Sequence, residues 1–137
     1  MMRLLALLVF GFYLSTSMAC DCKTIPNPLN ERVLEQGSHE FFLAEITKVE
    51  SKKEGKIKYN EYTVKVIKKY NLKDYVETLA FRTKSGKCMA EFNLGQKYLI
   101  STSRDKEKVR WTDVCHFKRE FKNAKRYLDF LNTKYKS

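Results

Sequence analysis

This chain contains four cysteines, and they constrain its fold more than any other feature: Cys20, Cys22, Cys88 and Cys115. All four follow an N-terminal stretch that has the layout of a secretory signal. Arg3 supplies a positive start, residues 4–14 form an apolar run, and Ser17 and Ala19 are the small residues expected before a cleavage point. The pattern predicts cleavage between Ala19 and Cys20.

Cleavage at that point divides the chain into two parts. Residues 1–19 are then a secretory signal peptide, and residues 20–137 form one secreted, extracellular domain. The apolar run is shorter than the roughly 20 residues that span a membrane, so we expect no transmembrane segment. A cut directly before a cysteine also fits a bacterial envelope lipoprotein, in which Cys20 would carry the lipid. That pattern prefers Leu three residues earlier, where this chain has Ser17.

The use of the cysteines follows from the compartment. An even number of cysteines in an exported domain is typical of disulfides, and four allow three different pairings. Zinc is the competing use of four cysteines. However, one residue separates Cys20 from Cys22, while Cys88 and Cys115 stand alone, so the paired Cys-x-x-Cys motifs of structural zinc sites are absent. The sequence therefore predicts two disulfides, no intrinsic metal and no cofactor.

The hydrophobic pattern predicts a mainly β fold with flanking helices. Alternating apolar and polar residues indicate five short strands. They are expected over residues 40–49, 58–70, 76–83, 98–102 and 109–114. After Cys115 the apolar spacing changes to three or four residues, which predicts an amphipathic C-terminal helix from Phe117 to Leu131. A short helix is also expected over residues 30–36. This order is typical of a five-stranded OB-fold-like barrel.

Four short motifs resemble the netrin-like domain, whose best-known members are the N-terminal domains of the tissue inhibitors of metalloproteinases. They are Cys20-Asp21-Cys22, the later Cys88 in a turn, the Gly-Gln-Lys-Tyr-Leu-Ile run at 95–100, and Cys115-His116-Phe117. The resemblance covers nearly all of residues 20–137. It implies a five-stranded OB-fold, with Cys20 bonded to Cys88 and Cys22 bonded to Cys115.

The resemblance also implies a function for the mature N-terminus. In these inhibitors the α-amino group and carbonyl oxygen of the first cysteine bind the catalytic zinc of the target, which keeps an open coordination position. Cys20 would therefore contact the zinc of a metallopeptidase. The implied contact ridge consists of Asp21, Cys22, Lys23, Thr24, Ser85, Gly86, Lys87, Cys88 and Met89. Asp21 departs from the small Thr or Ser of the inhibitors, and a carboxylate is costly in an apolar pocket.

Charge supports an alternative function. The chain has 27 Lys and Arg against 16 Asp and Glu, a formal net charge of +11. Basic residues gather on the polar side of the predicted C-terminal helix: Lys118, Arg119, Lys122, Lys125 and Arg126. Such an array attracts polyanions, and a sulphated glycan suits an exported protein better than nucleic acid. The alternative is therefore a non-inhibitory extracellular or cell-envelope domain that binds a polyanion or a protein partner.

Motifs of enzymes are absent from the sequence. His39 and His116 do not have the spacing of a metal-binding pair, and there is neither a Gly-x-Ser-x-Gly motif nor a Gly-rich phosphate loop. A catalytic cysteine needs a free thiolate, and all four cysteines are expected in bridges. The sequence predicts a monomeric binding module that is not an enzyme.

Overall fold

The computed structural model describes residues 20, 22, 29, 39–72 and 76–135. These residues form six strands, a short 3-10 turn at Phe121–Asn123 and a C-terminal helix. The elements are β1 (Glu40–Glu54), β2 (Ile57–Asn71), β3 (Thr78–Lys84), β4 (Lys97–Arg104), β5 (Arg110–Trp111), β6 (Lys118–Glu120) and α1 (Lys125–Lys134). The fold is therefore mainly β with one C-terminal helix. The helix expected over residues 30–36 lies outside the described residues.

Five of the strands form a ring. Their order is β1-β2-β3-β5-β4, and β4 pairs in turn with β1. All neighbours are antiparallel except β3 and β5, which are parallel. The five predicted strands are these five, although β5 is much shorter than the sequence pattern indicates. The sixth strand, β6, pairs with Tyr98–Ile100 of β4.

The hairpin of β1 and β2 is longer than the sequence pattern indicates. Each strand has 15 residues, and the two pair along their whole length. Only the first part of β1, Glu40–Glu45, also pairs with β4. The sequence pattern ends the first strand at residue 49 and begins the second at 58. The polar residues between them nevertheless continue the hairpin, because their side chains bond across the strands. Ser51 bonds to Asn60, for example, at 3.0 Å.

The two faces of β1 bury two separate clusters. Phe42, Ala44 and Ile46 point into the ring and are fully buried with Val64 and Phe81. On the other face, residues of β1 pack against β4 and the C-terminal segment: Phe41, Leu43, Leu99, Phe117, Ala124 and Leu131. Each large apolar side chain buried in this way stabilises the fold by about 1.5–3 kcal/mol. The helix is thereby packed onto the outside of the ring.

The C-terminal helix begins later than the sequence predicts. The periodic pattern starts at Phe117, whereas α1 starts at Lys125. Phe121, one of the residues in that pattern, is 49% exposed. The cause is a long-range strand pairing. Lys118–Glu120 form β6 beside β4, and a local hydrophobic pattern does not reveal a pairing between segments that are separated in the chain. Lys118 and Arg119 therefore lie on β6 and not on the helix.

Candidate functional site

Two disulfides tie Cys20 and Cys22 to the ring. They join Cys20 to Cys88 and Cys22 to Cys115, which confirms the pairing that the resemblance implies. The Cα–Cα distances are 5.2 and 5.3 Å. The bridges are adjacent, because the Sγ atoms of Cys20 and Cys115 lie 3.6 Å apart. Cys20 and Cys22 are both half-buried, so part of each residue faces solvent.

The segments that receive the two bridges are themselves joined. Cys88 follows the turn after β3, and Cys115 follows β5. The Val114 N–H donates to the Cys88 carbonyl oxygen at 3.0 Å. The Cys115 N–H donates to Oδ1 of Asp113 at 2.8 Å. The two anchors therefore form one hydrogen-bonded support, and the bridges hold Cys20 and Cys22 against it.

The structure describes part of the implied contact ridge. Asp21, Lys23 and Thr24 lie outside the described residues. Across the first bridge, the turn after β3 is placed beside Cys20: Ser85, Gly86 and Lys87 are exposed, while Cys88 and Met89 are half-buried. Gly86 has a φ of 137°, a conformation that favours glycine. Of the described ridge residues, Cys20 and Cys88 are bonded to each other, and residues 85–89 follow one another in this turn.

A hydrogen-bonded chain beside the second bridge was not predicted from the sequence. Oγ of Ser103 lies 3.0 Å from Nε2 of His116, and Nδ1 of His116 lies 2.9 Å from Oδ1 of Asp113. With Nδ1–H donating to the Asp113 carboxylate, Nε2 of His116 is left to accept from the Ser103 hydroxyl. Oδ1 of Asp113 also accepts from the Cys115 N–H. The hydrogen bonds among Ser103, His116 and Asp113 therefore hold the turn that carries Cys115. The spacing of Asp113 and His116 was the available signal.

His39 packs against this chain. Its ring lies edge-on to that of His116, with centroids 4.9 Å apart. Burial, followed by the nearby His116, lowers the pKa of His39, and Asp113 opposes the shift. Among the described residues, Nδ1 of His39 is buried without a hydrogen-bond partner. The lowered pKa of His39 favours the neutral form of its ring.

A surface cavity of about 440 Å³ adjoins the two anchors. Its wall includes Met89 and Val114, the chain neighbours of Cys88 and Cys115, together with His116, Phe117 and Arg119. Val114 is 46% exposed. The surface beside the bridges is therefore concave, with both apolar and charged groups.

The basic residues predicted to bind polyanions are divided between β6 and the segment that leads into and forms α1. Lys118 donates to the Glu91 carbonyl oxygen at 2.8 Å, and Arg119 lies over the Phe117 ring. Lys122 and Lys125 form ion pairs with acidic neighbours but are 76% and 86% exposed. Such exposed pairs contribute little, so both charges remain accessible to an anion. Arg126 is also exposed.

No protein-family model matches the chain, and no curated protein sequence matches it. Within the part of the chain that the structure describes, no helix is long and apolar enough to cross a membrane.

Proposed function

We propose that this chain is a secreted binding module with a netrin-like OB-fold, and that it inhibits a zinc metallopeptidase through Cys20. Signal cleavage directly before Cys20 would give this residue the free α-amino group of the chain. The amino nitrogen and the carbonyl oxygen of Cys20 would then bind the open coordination position of the target's zinc. The chain itself would carry out no reaction.

The observation that carries this proposal is the double attachment of Cys20 and Cys22 to one support. Ordering a free N-terminus on binding costs conformational entropy, and attachment in advance reduces that cost. An α-amino group has an ordinary pKa of about 7.7–8.0, so a substantial fraction is neutral and able to coordinate a metal near neutral pH. The half-buried turn at Cys88 and Met89 supplies contact surface next to the amine.

The arrangement of strands supports the fold named in the proposal. The OB-fold is a five-stranded Greek-key structure, and the ring of β1, β2, β3, β5 and β4 agrees with it in strand number and in closure. The C-terminal helix and the two disulfides also agree with the netrin-like domain.

Asp21 defines the kind of target. A carboxylate placed in an apolar specificity pocket costs several kcal/mol unless a cation meets it. We therefore propose a metallopeptidase whose pocket beside the zinc is either cationic or open to water.

The test compares two oxidised proteins, one starting at Cys20 and one with a single extra Ala before it. Both are titrated against a panel of active zinc metallopeptidases. Inhibition by the first and none by the second is the expected result, because the added residue removes the amine from Cys20. Absence of inhibition by either protein across the panel would refute the proposal. The intact mass of the exported chain distinguishes a free amine from a lipid on Cys20.

Accessible charge on and beside α1 favours one alternative, a non-inhibitory domain that binds sulphated glycans. Lys122, Lys125 and Arg126 are exposed there. Replacing all three by Ala should reduce retention on a sulphated-glycan column and make it less dependent on salt. Salt-dependent retention that is lost in the variant, combined with no inhibition, would favour this alternative.

A further inference from the structure

We propose that the reduced protein binds one zinc ion through Cys20, Cys22, Cys88 and Cys115. The same four sulfur atoms would hold either two disulfides or one metal ion. This inference does not depend on the proposed inhibitory function, because it requires neither a free amino group nor a target.

The sulfur positions carry the inference. The Sγ atoms of Cys20, Cys22 and Cys115 all lie within 4.8 Å of one another, and Cys88 is bonded to Cys20. In a tetrahedral site with Zn–S distances of about 2.3 Å, two sulfurs are about 3.8 Å apart. The distance between Cys20 and Cys115, which belong to different bridges, is already 3.6 Å. Reduction breaks the two S–S bonds, so the sulfurs of each former bridge can separate to the distance of about 3.8 Å that a tetrahedral zinc site requires.

In the folded state, backbone contacts also hold Cys88 and Cys115 near each other, so zinc that binds the reduced chain would favour its folded state. The Val114 N–H bonds to the Cys88 carbonyl oxygen, and the Thr112 N–H bonds to the Arg82 carbonyl oxygen at 2.9 Å. These contacts join the segment before Cys115 to β3 and to the turn that follows it. Cys20 and Cys22 stay close to each other because one residue separates them.

The spacing of the cysteines along the chain does not exclude this site. It excludes the paired Cys-x-x-Cys motifs of common zinc folds, in which each pair comes from one turn. Here Cys88 and Cys115 come from two different turns that the ring places side by side. The four thiolates and Zn²⁺ together would carry a net charge of −2.

A dithiol or phosphine reductant supplies four electrons, and four protons are taken up, as the two S–S bonds become four thiols. Zinc binding then releases the four thiol protons and forms four Zn–S bonds. In the reverse direction, a disulfide oxidant takes four electrons from the thiolates, two S–S bonds form and Zn²⁺ leaves.

The test adds Co²⁺, a spectroscopic probe of zinc sites, to the fully reduced chain without oxygen. One Co²⁺ per chain, sulfur-to-cobalt charge-transfer absorption and the intense visible bands of a tetrahedral site are expected, and Zn²⁺ should remove them. The oxidised chain should show none of these bands. An extra Ala before Cys20 should leave the spectrum unchanged, which separates this test from that of inhibition. A reduced chain without charge-transfer bands would overturn the inference.

A variant and a thiol assay identify the ligands. Cys88→Ser should weaken Co²⁺ binding by at least about 10- to 100-fold, which is the cost of losing even an outer-shell partner of a metal site. Val114→Ala, in the turn beside Cys115, is the matched control and should bind normally. In the unmodified reduced chain, zinc should protect all four thiols from a chromogenic disulfide. Protection of only two, or equal Co²⁺ affinity in Cys88→Ser, would contradict a four-cysteine site.

Discussion

Removing the disulfides tests how the two bridges act together. Cys20–Cys88 and Cys22–Cys115 span 68 and 93 residues. In the chain-entropy model, either bridge formed alone in an open chain stabilises the fold by about 4.5 kcal/mol. Once one bridge is present, it already brings the two ends of the other bridge close along the chain. The second bridge then closes an effective loop of only about 20 to 30 residues, and its contribution falls to about 3.5 kcal/mol.

The expected losses follow directly. Replacing one pair of cysteines by Ala should lower the free energy of unfolding by about 3.5 kcal/mol, and replacing both pairs should lower it by about 8 kcal/mol. Since a domain has a total stability of about 5–15 kcal/mol, the chain without bridges should be close to unfolding. Urea denaturation of the three variants measures these values. Losses below about 1 kcal/mol for each single pair would refute the reasoning.

Further substitutions test the core, the half-buried His39 and the ridge. Leu131→Ala should lower the free energy of unfolding by about 2–5 kcal/mol because Leu131 is fully buried. Phe121→Ala, at a half-exposed position, should lower it much less. Urea denaturation measures both values. Because the pKa of His39 is lowered in the folded state, the unfolded chain binds more protons, so stability should fall as the pH drops below about 6.5. His39→Gln should flatten that pH dependence. Under the proposed function, Asp21→Thr should strengthen inhibition of peptidases with apolar pockets, as measured by inhibitor titration.

Much of the sheet could be predicted because strand patterns are local. Phe42, Ala44 and Ile46 occupy alternate positions that face the ring, and this alternation is visible in the sequence. The strand β6 was missed because its pairing with β4 joins residues that are separated in the chain. For the same reason the start of the helix was placed too early, at Phe117.

The candidate site was predicted only in part. Residue types alone left three pairings of the cysteines open, and the resemblance to the netrin-like domain supplied the one that the structure has. The chain of Ser103, His116 and Asp113 was missed because Ser103 comes from β4 and its partners follow β5. The spacing of Asp113 and His116 is visible in the sequence, but no spacing reports the contact with Ser103, which the fold alone brings about.

The position of the bridges also bears on their purpose. Two bridges that served stability alone would contribute more from separate parts of the chain, where neither shortens the loop closed by the other. Their adjacency at Cys20 and Cys22 lowers the joint contribution by about 1 kcal/mol in the chain-entropy model. In return, one short segment is attached at two points to a hydrogen-bonded support, which restricts its rotation as well as its position. Under the proposed function this restriction is expected, because the geometry of Cys20 would then matter to the zinc of the target.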